Sequence, residues 1–204
     1  MRTLFTAFLV IVITSSMAYS SWADLKEAIE AYYENRYGVA LREFQALAEE
    51  GVVDAQFYLG VMYAKGRGVP QNYTEAVRWY RLAAEQGFVK AMSNLGSMYS
   101  NGYGLPKDHA LAIRWYQEAA DQDLPEAQYN LGVMHNEGKG MPRDLVKAYM
   151  WFNLSAGQGY EDADRARKLV ARMMTPEEIA QGQGLARAWR DKKVGCSPAT
   201  APCP

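Results

Sequence analysis

The sequence predicts an all-α fold, a right-handed solenoid of about five stacked helix–turn–helix pairs, and three observations lead to it. Tryptophan recurs every 36 residues, at Trp79, Trp115 and Trp151. Other residue types keep the same interval, namely Ala55, Ala91 and Ala127, Gly60, Gly96 and Gly132, and Pro70, Pro106 and Pro142. Between these points the apolar residues are spaced by three and four, the period of a helix with one buried face. A fixed period of roughly 20 to 50 residues marks stacked copies of one supersecondary unit.

The first clear repeat, residues 54–89, reads as two helices joined by a glycine-rich turn. Gly66 suits the left-handed position just past a helix C-terminus, and Pro70 excludes helix for the residue before it. Asn72 then occupies the N-cap position of the second helix, and Glu75 three residues later completes a capping box. The N-caps of the next two repeats, which lack the acidic partner, are Asp108 and Asp144.

Three glycines fall in the middle of the first helices, at positions 60, 96 and 132. Glycine in a helix interior costs about 1 kcal/mol relative to alanine. That cost is tolerated where a side chain would obstruct a neighbouring helix. We therefore expect these glycines to mark points of close helix approach.

Atypical pairs flank the three clear repeats. Residues 24–53 form an N-terminal pair with a short turn, and residues 162–190 form a C-terminal capping pair. The last helix opens with Thr175 as N-cap, a proline in its first turn and Glu178 to complete a capping box. Such terminal units are expected because the outer face of the array must meet water.

The recurring residues resemble the Sel1-like repeat family, which is related to the tetratricopeptide repeats but has a longer loop between its helices. The motif Ala-x-x-x-Leu-Gly, followed by Gly-x-Gly-x-Pro, Trp-Tyr and Ala-Ala, is matched in residues 54–89, 90–125 and 126–161. The middle and last copies depart from it in places, for example with Asp123 where the family has glycine. The resemblance implies an adaptor-like family that binds partners and has no general catalytic residues.

Residues 1–23 have the pattern of a secretory signal peptide. Arg2 precedes an apolar segment from Leu4 to Ile13, and small residues follow up to Ala18 and Ala23, both of which are candidate cleavage sites. We favour Ala23 because the helical pattern begins at Asp24. The apolar segment is shorter than the roughly 20 residues of a membrane span, which argues against an uncleaved anchor and predicts a periplasmic or secreted protein.

Residues 191–204 are predicted to form a flexible tail that carries both cysteines, Cys196 and Cys203. In an exported protein the two cysteines could form a disulfide, or they could remain free or pair with another chain. Two cysteines alone do not make a structural zinc site, which needs four ligands.

Charge and motifs indicate neither nucleic-acid binding nor catalysis. Loss of Arg2 with the signal peptide leaves 21 basic and 23 acidic residues, a net charge of −2, which gives no basic footprint for nucleic acid. The Gly-x-Gly turns follow a helix and precede a proline, unlike phosphate loops. His109 and His135 have no nucleophile or carboxylate at motif spacing. The sequence therefore predicts no enzyme, no metal and no cofactor.

The leading hypothesis is an exported adaptor of the bacterial cell envelope that binds a protein or peptide. If the relationship to tetratricopeptide repeats holds, the first helices line the concave face of the array. The positions on these helices that vary between repeats are then candidate contacts. They are Asp54, Phe57, Val61 and Lys65 in the first repeat, Lys90, Ser93, Ser97 and Asn101 in the second, and Glu126, Tyr129, Val133 and Glu137 in the third.

The alternative hypothesis is a cell-envelope enzyme, or an enzyme accessory, that acts on peptidoglycan or a β-lactam. Export and the repeat family make it conceivable. The family members associated with penicillin binding carry a cysteine pair in each repeat, whereas residues 24–190 contain no cysteine.

Export gives a direct test. We expect the mature protein to begin at Asp24 and to be found in the periplasm or the medium, because the apolar segment is too short to remain as a span. Intact mass measurement on fractionated cells checks this. A membrane-bound species that retains Met1 would contradict it.

Overall fold

The computed structural model describes residues 24–193, and within this range the chain forms ten helices and no strand. The predicted signal peptide and both cysteines lie outside the described residues. The helices are α1 (24–33), α2 (Tyr37–Glu49), α3 (Val53–Lys65), α4 (Tyr73–Glu85), α5 (Val89–Asn101), α6 (His109–Ala120), α7 (Pro125–Glu137), α8 (Leu145–Gly157), α9 (Glu161–Ala171) and α10 (Pro176–Lys193). This order confirms the all-α prediction. One boundary differs, because α10 continues to Lys193 and so enters the segment predicted to be a flexible tail.

The chain divides into two compact units, one ending at Ala91 and the other beginning at Met92. We call them unit 1 and unit 2, and each is described by itself. Among the helices of residues 24–193, none is both long and apolar enough to cross a lipid bilayer.

The turn of each clear repeat is closed in the same way. Gly66 and Gly138 end α3 and α7 in the left-handed conformation, with φ of 64° and 69°. The backbone N–H of each following N-cap residue then donates to a carbonyl near the end of the first helix. These bonds join Asn72 to Tyr63, Asp108 to Tyr99 and Asp144 to His135, each at 2.9 Å.

The predicted N-caps are confirmed, but one capping box is not. The Asn72 side chain accepts from the backbone N–H of Glu75 at 3.1 Å. The Glu75 carboxylate does not return to the Asn72 N–H, because that donor is already bound to Tyr63; it pairs instead with Arg78 at 3.1 Å. The capping box of α10 is complete.

The α10 box has both of its hydrogen bonds. Thr175 N–H donates to the Glu178 carboxylate at 2.8 Å, and Glu178 N–H donates to the Thr175 hydroxyl at 3.2 Å. No loop carbonyl takes up the Thr175 donor, so the carboxylate can reach it.

The mid-helix glycines accept aromatic rings of the second helices. A Cβ atom at Gly60 would lie 2.5 Å from the Tyr80 ring, and one at Gly132 would lie 2.5 Å from the Phe152 ring. At Gly96 the corresponding distance to the Tyr116 ring is 2.8 Å. The close approach expected from the sequence is thus made by a ring in each repeat, and it fixes how near the two helices lie.

The second glycine of the Gly-x-Gly turns has its own role. Gly68 and Gly140 have φ of 73° and 74°. A Cβ on Gly68 would lie 2.8 Å from the Tyr37 Cβ, and one on Gly140 would lie 2.7 Å from the His109 Cβ. These turns therefore pack on the start of the preceding second helix, α2 or α6, and close packing excludes a side chain at these positions.

In two of the repeats a buried glutamine of the first helix is hydrogen-bonded to a glutamine that caps the second helix, and nothing in the helical periodicity indicates this pairing. Gln86 donates to the buried Gln56 at 2.8 Å in unit 1, and Gln158 donates to the buried Gln128 at 3.0 Å in unit 2. A buried amide without a partner would be costly, so each pair satisfies a polar group that the helix packing encloses.

The closing helix α10 packs along α8, as expected of a cap. Gly182 lies where a Cβ would be 2.8 Å from the Tyr149 ring. Trp189 and Trp151 meet edge to face, with ring centroids 4.8 Å apart. At its end, Lys193 forms an ion pair with Asp123 at 2.7 Å.

Each mid-helix glycine forms a close contact with an aromatic ring, which we call a glycine seat, and these contacts give a stability test. We expect Gly96→Leu to lower the free energy of unfolding by about 3 kcal/mol or more, because the side chain would overlap the Tyr116 ring. The matched control is Gly184→Ala in α10, where nothing lies within 4 Å of a new Cβ. That change should stabilise the protein by up to about 1 kcal/mol through helix propensity. Urea unfolding followed by circular dichroism measures both, and a Gly96→Leu variant as stable as wild type would contradict the assignment.

Candidate partner-binding surface

The predicted contact residues lie on α3, α5 and α7, the first helices of the clear repeats. Their exposure differs widely. The exposed side chains are Lys65, Lys90, Asn101, Glu126 and Glu137. Those that are partly covered are Asp54, Phe57, Ser97, Tyr129 and Val133.

Two of the predicted contacts are buried, and the prediction is wrong for them. Ser93 is 1% exposed and Val61 is 9% exposed. The Ser93 hydroxyl has no hydrogen-bond partner among the described residues. Side chains at these two positions belong to the interior of the repeats and offer no surface to a partner.

Phe57 and Tyr129 occupy the same position in the first and third repeats, and each packs within its own unit. The Phe57 ring lies 6.1 Å from Tyr80 and 4.9 Å from Phe88, measured between centroids. The Tyr129 ring lies 5.6 Å from the Phe152 ring. Both side chains are therefore held by the scaffold and leave only part of their surface open.

The rings that complete these contacts stand 31 residues further along the chain. Phe88 precedes the first residue of α5, and Tyr160 is the N-cap of α9. Tyr160 lies 5.3 Å from Tyr129 at a tilt of 44°, while Phe88 lies 4.9 Å from Phe57 at 36°. Sequence reasoning missed both partners, although the recurrence of an aromatic residue at positions 88 and 160 is a signal that could have found them.

The hydroxyls of the unit 2 pair lie among charged groups. Burial, and next the Asp162 carboxylate, raise the pKa of Tyr129, while the Arg165 guanidinium acts in the opposite direction. Burial, and next the Glu126 and Asp162 carboxylates, raise the pKa of Tyr160. Both tyrosines are therefore neutral hydroxyl groups at physiological pH.

Unit 1 contains a second aromatic group that the sequence did not single out. Tyr33 at the end of α1 is 69% exposed, and its hydroxyl is 3.4 Å from that of Tyr58. The Tyr58 ring stacks on Phe44 with a centroid distance of 4.9 Å. Burial, and next the hydrogen bond with Tyr33, raise the pKa of Tyr58 above its ordinary value.

The turn residue Arg67 contributes to this aromatic group. It donates from Nη1 to the Tyr32 hydroxyl at 2.5 Å, and its guanidinium carbon lies 5.3 Å from the centre of the Tyr32 ring. The first Gly-x-Gly turn thus positions a cation on buried tyrosine and does not present a phosphate-binding loop.

The histidines are arranged as packing residues. Nδ1 of His109 and of His135 is buried without a hydrogen-bond partner among the described residues. Burial, and next the Lys147 ammonium, lower the pKa of His135, against an opposing effect of Asp144. Within the described part of the chain, no three His, Cys, Asp or Glu side chains converge where a metal ion could bind.

Unit 2 also has a shallow, open depression of about 370 Å³ beside the start of α9. Its lining is Ala156, Gly159, Tyr160, Glu161, Asp164 and Arg165. The depression is polar and too open to enclose a small molecule, so it extends the surface around Tyr160.

Comparison with known proteins identifies the repeat. The family profile described as Sel1 repeat matches residues 53–88, 89–124 and 125–160. No curated protein matches the chain. A Sel1 repeat protein from Oxalobacter formigenes is similar in structure, with a TM-score of 0.65 and 34% sequence identity.

That similarity covers 71% of this chain and 60% of the Oxalobacter protein. A protective antigen of uropathogenic Escherichia coli with an SLR fold is also similar, with a TM-score of 0.51 and 26% identity, over 95% of this chain and 53% of the antigen. The chain thus spans little more than half the length of either. Three profile matches in succession and a relative at 34% identity show that the chain belongs to the Sel1 repeat family and folds as an all-α repeat solenoid.

Proposed function

We propose that the chain is a non-catalytic adaptor of the bacterial cell envelope that binds a protein or peptide on its first helices. Sel1 repeat proteins are generally adaptors for protein interactions. In tetratricopeptide-type arrays the first helices line the concave face, and the proposal places the contacts on that face here. The signal-like segment at residues 1–23 supports export.

One observation carries the proposal: positions of the first helices that reach the surface change chemistry between repeats, while the contact between the mid-helix glycine and its ring does not. The residue in the first turn of the first helix is Asp54 in the first repeat, Lys90 in the second and Glu126 in the third. Its charge is therefore negative, then positive, then negative again. The packing contacts recur, because glycine meets an aromatic ring in each repeat. A solenoid that only had to fold would need no such alternation, whereas a surface that recognises an extended partner would use it for specificity.

Site-specific crosslinking in cells tests the surface. A photoreactive amino acid at Asn101 or Glu137, both exposed on first helices, is expected to give discrete adducts with a partner protein. The matched controls are Arg42 and Arg114 on second helices, whose side chains are 73% and 72% exposed. Adducts formed only from the control positions would contradict the proposed surface.

The enzyme alternative has a separate test. A labelled β-lactam that acylates the purified protein, or is hydrolysed by it, would favour the enzyme alternative.

A stability measurement separates scaffold from contact residues. We expect Phe57→Ala together with Tyr129→Ala to lower the thermal midpoint markedly, because each truncation removes a ring packed between two others. A core aromatic truncation costs about 3–5 kcal/mol when fully buried, and these half-buried rings should cost less each. The control is Tyr129→Phe, which keeps the ring and should leave the midpoint nearly unchanged. A double variant with a wild-type midpoint would show that the rings serve only a partner.

A further inference from the structure

The aromatic pair of unit 2 carries two hydroxyl groups that its packing does not require. Tyr129 and Tyr160 correspond, position for position, to Phe57 and Phe88 in unit 1. The two pairs have nearly the same geometry, with centroids 5.3 Å and 4.9 Å apart and tilts of 44° and 36°. Since phenylalanine gives the same contact, the ring packing leaves the two hydroxyls without a structural role.

Neither hydroxyl is used inside the protein. Among residues 24–193, no hydrogen bond reaches the hydroxyl of Tyr129 or Tyr160, and both side chains are partly exposed. Tyr149 and Tyr32, by contrast, are buried tyrosines whose hydroxyls accept from Gln183 and Arg67. The paired hydroxyls of unit 2 are therefore available to a ligand.

The charged groups that act on this pair or line the depression beside it belong to α7 and α9. The carboxylates are Glu126, Glu137, Glu161, Asp162 and Asp164, and the cation is Arg165. Three further cations, Lys139, Arg167 and Lys168, form ion pairs with these carboxylates. Three carboxylates are neutralised. Arg165 pairs with Asp162, Lys139 pairs with Glu137 at 2.5 Å, and Asp164 accepts from both remaining cations.

Two carboxylates are left without an ion-pair partner among the described residues, Glu126 and Glu161. Glu126 lies in the first turn of α7, three residues before Tyr129 and therefore on the same face of the helix, and its carboxylate contributes to the raised pKa of Tyr160. Glu161 follows Tyr160 and lines the depression beside it. An anionic group brought to the tyrosine pair would meet uncompensated negative charge on both sides, so acidic or phosphorylated ligands are disfavoured.

Resting on the adaptor function above, we propose that Tyr129, Tyr160 and Glu126 form a subsite for a lysine or arginine side chain in a basic segment of the partner. Ammonium and guanidinium groups have only hydrogen-bond donors, and the two hydroxyls and the carboxylate can all accept. A carboxylate acceptor makes the bond charge-assisted. The exposed edges and faces of the two rings add cation–π attraction to the same group.

The test selects peptides from a phage-displayed library of random 12-residue sequences, with the full chain as the target. Because such a library contains acidic, basic, polar and apolar peptides together, it does not favour a basic ligand in advance. We expect the enriched peptides to share lysine or arginine and to lose affinity when that residue is replaced by glutamine. Binding should weaken at higher salt, since the Glu126 carboxylate is exposed. The dissociation constant of the best peptide is then measured on variants.

Two changes address the subsite without disturbing the fold. Tyr129→Phe with Tyr160→Phe reproduces the pair found in unit 1, and Glu126→Gln removes only the charge. Each should raise the dissociation constant about threefold to tenfold with an unchanged thermal midpoint. The matched control is Glu85→Gln, which removes an exposed carboxylate from the second helix α4 and should change the constant less than about twofold.

The outcomes separate this inference from the adaptor function. Enriched peptides without basic residues, or basic peptides whose affinity is unchanged in both subsite variants, would overturn the subsite and leave the adaptor function standing. No enrichment above the unselected library would overturn both. Basic peptides that weaken on the subsite variants and not on Glu85→Gln would support the proposal.

Discussion

Each repeat depends on one contact, in which an aromatic ring of the second helix packs directly against a glycine in the middle of the first helix. Tyr80 over Gly60 and Phe152 over Gly132 lie closer than any side chain at those positions would allow. The contact has a second consequence, because the seated ring also touches the first-helix residue three positions earlier, Phe57 or Tyr129. That residue in turn touches the ring just before the next first helix. One glycine thus sets a continuous row of three rings within a unit, which ends at Phe88 in unit 1 and at Tyr160, the N-cap of α9, in unit 2.

The middle repeat has only one of the three rings that form this row in the other two repeats, so it shows what the row contributes. Tyr116 is seated over Gly96 as in the other repeats, but Ser93 and Leu124 stand where the others have two aromatic residues. Ser93 is buried and its hydroxyl has no hydrogen-bond partner among the described residues. A small polar side chain in that place makes weaker contacts than a ring and encloses an unsatisfied group. The glycine seat is common to all three repeats, whereas the row of rings is an addition made in two of them.

The sequence was sufficient for the features that repeat locally. The 36-residue period, the left-handed turn at Gly66 and the N-caps at Asn72 and Asp144 depend on residues a few positions apart, and the structure has each of them. The capping box at Asn72 failed because a carbonyl nine residues earlier, that of Tyr63, took up the donor. Local motifs do not reveal such competition.

The contact surface was predicted less well, for a physical reason. Helical periodicity placed Phe57 and Tyr129 on an outer face, but residues outside their own helix cover part of each side chain. The residues that cover it, such as Phe88, stand 31 positions away. They stand in loops or N-caps, where helical periodicity does not apply. Half-burial of Phe57 and Tyr129 is therefore a property of the stack and not of the helix on which they lie.

Because packing occupies most of these side chains, the proposed adaptor function assigns specificity to the groups that packing leaves exposed. On the first helices these are the charges at positions 54, 90 and 126, together with the hydroxyls of Tyr129 and Tyr160. The two ring pairs that underlie these groups have similar geometry in unit 1 and unit 2. A tyrosine in place of phenylalanine adds a hydrogen-bonding group at almost constant shape. A carboxylate in place of an ammonium changes the charge at a surface position without changing the glycine–ring contact. The array can thus vary the charges and hydrogen-bonding groups that it exposes from repeat to repeat without altering the glycine–ring contact that holds each helix pair together.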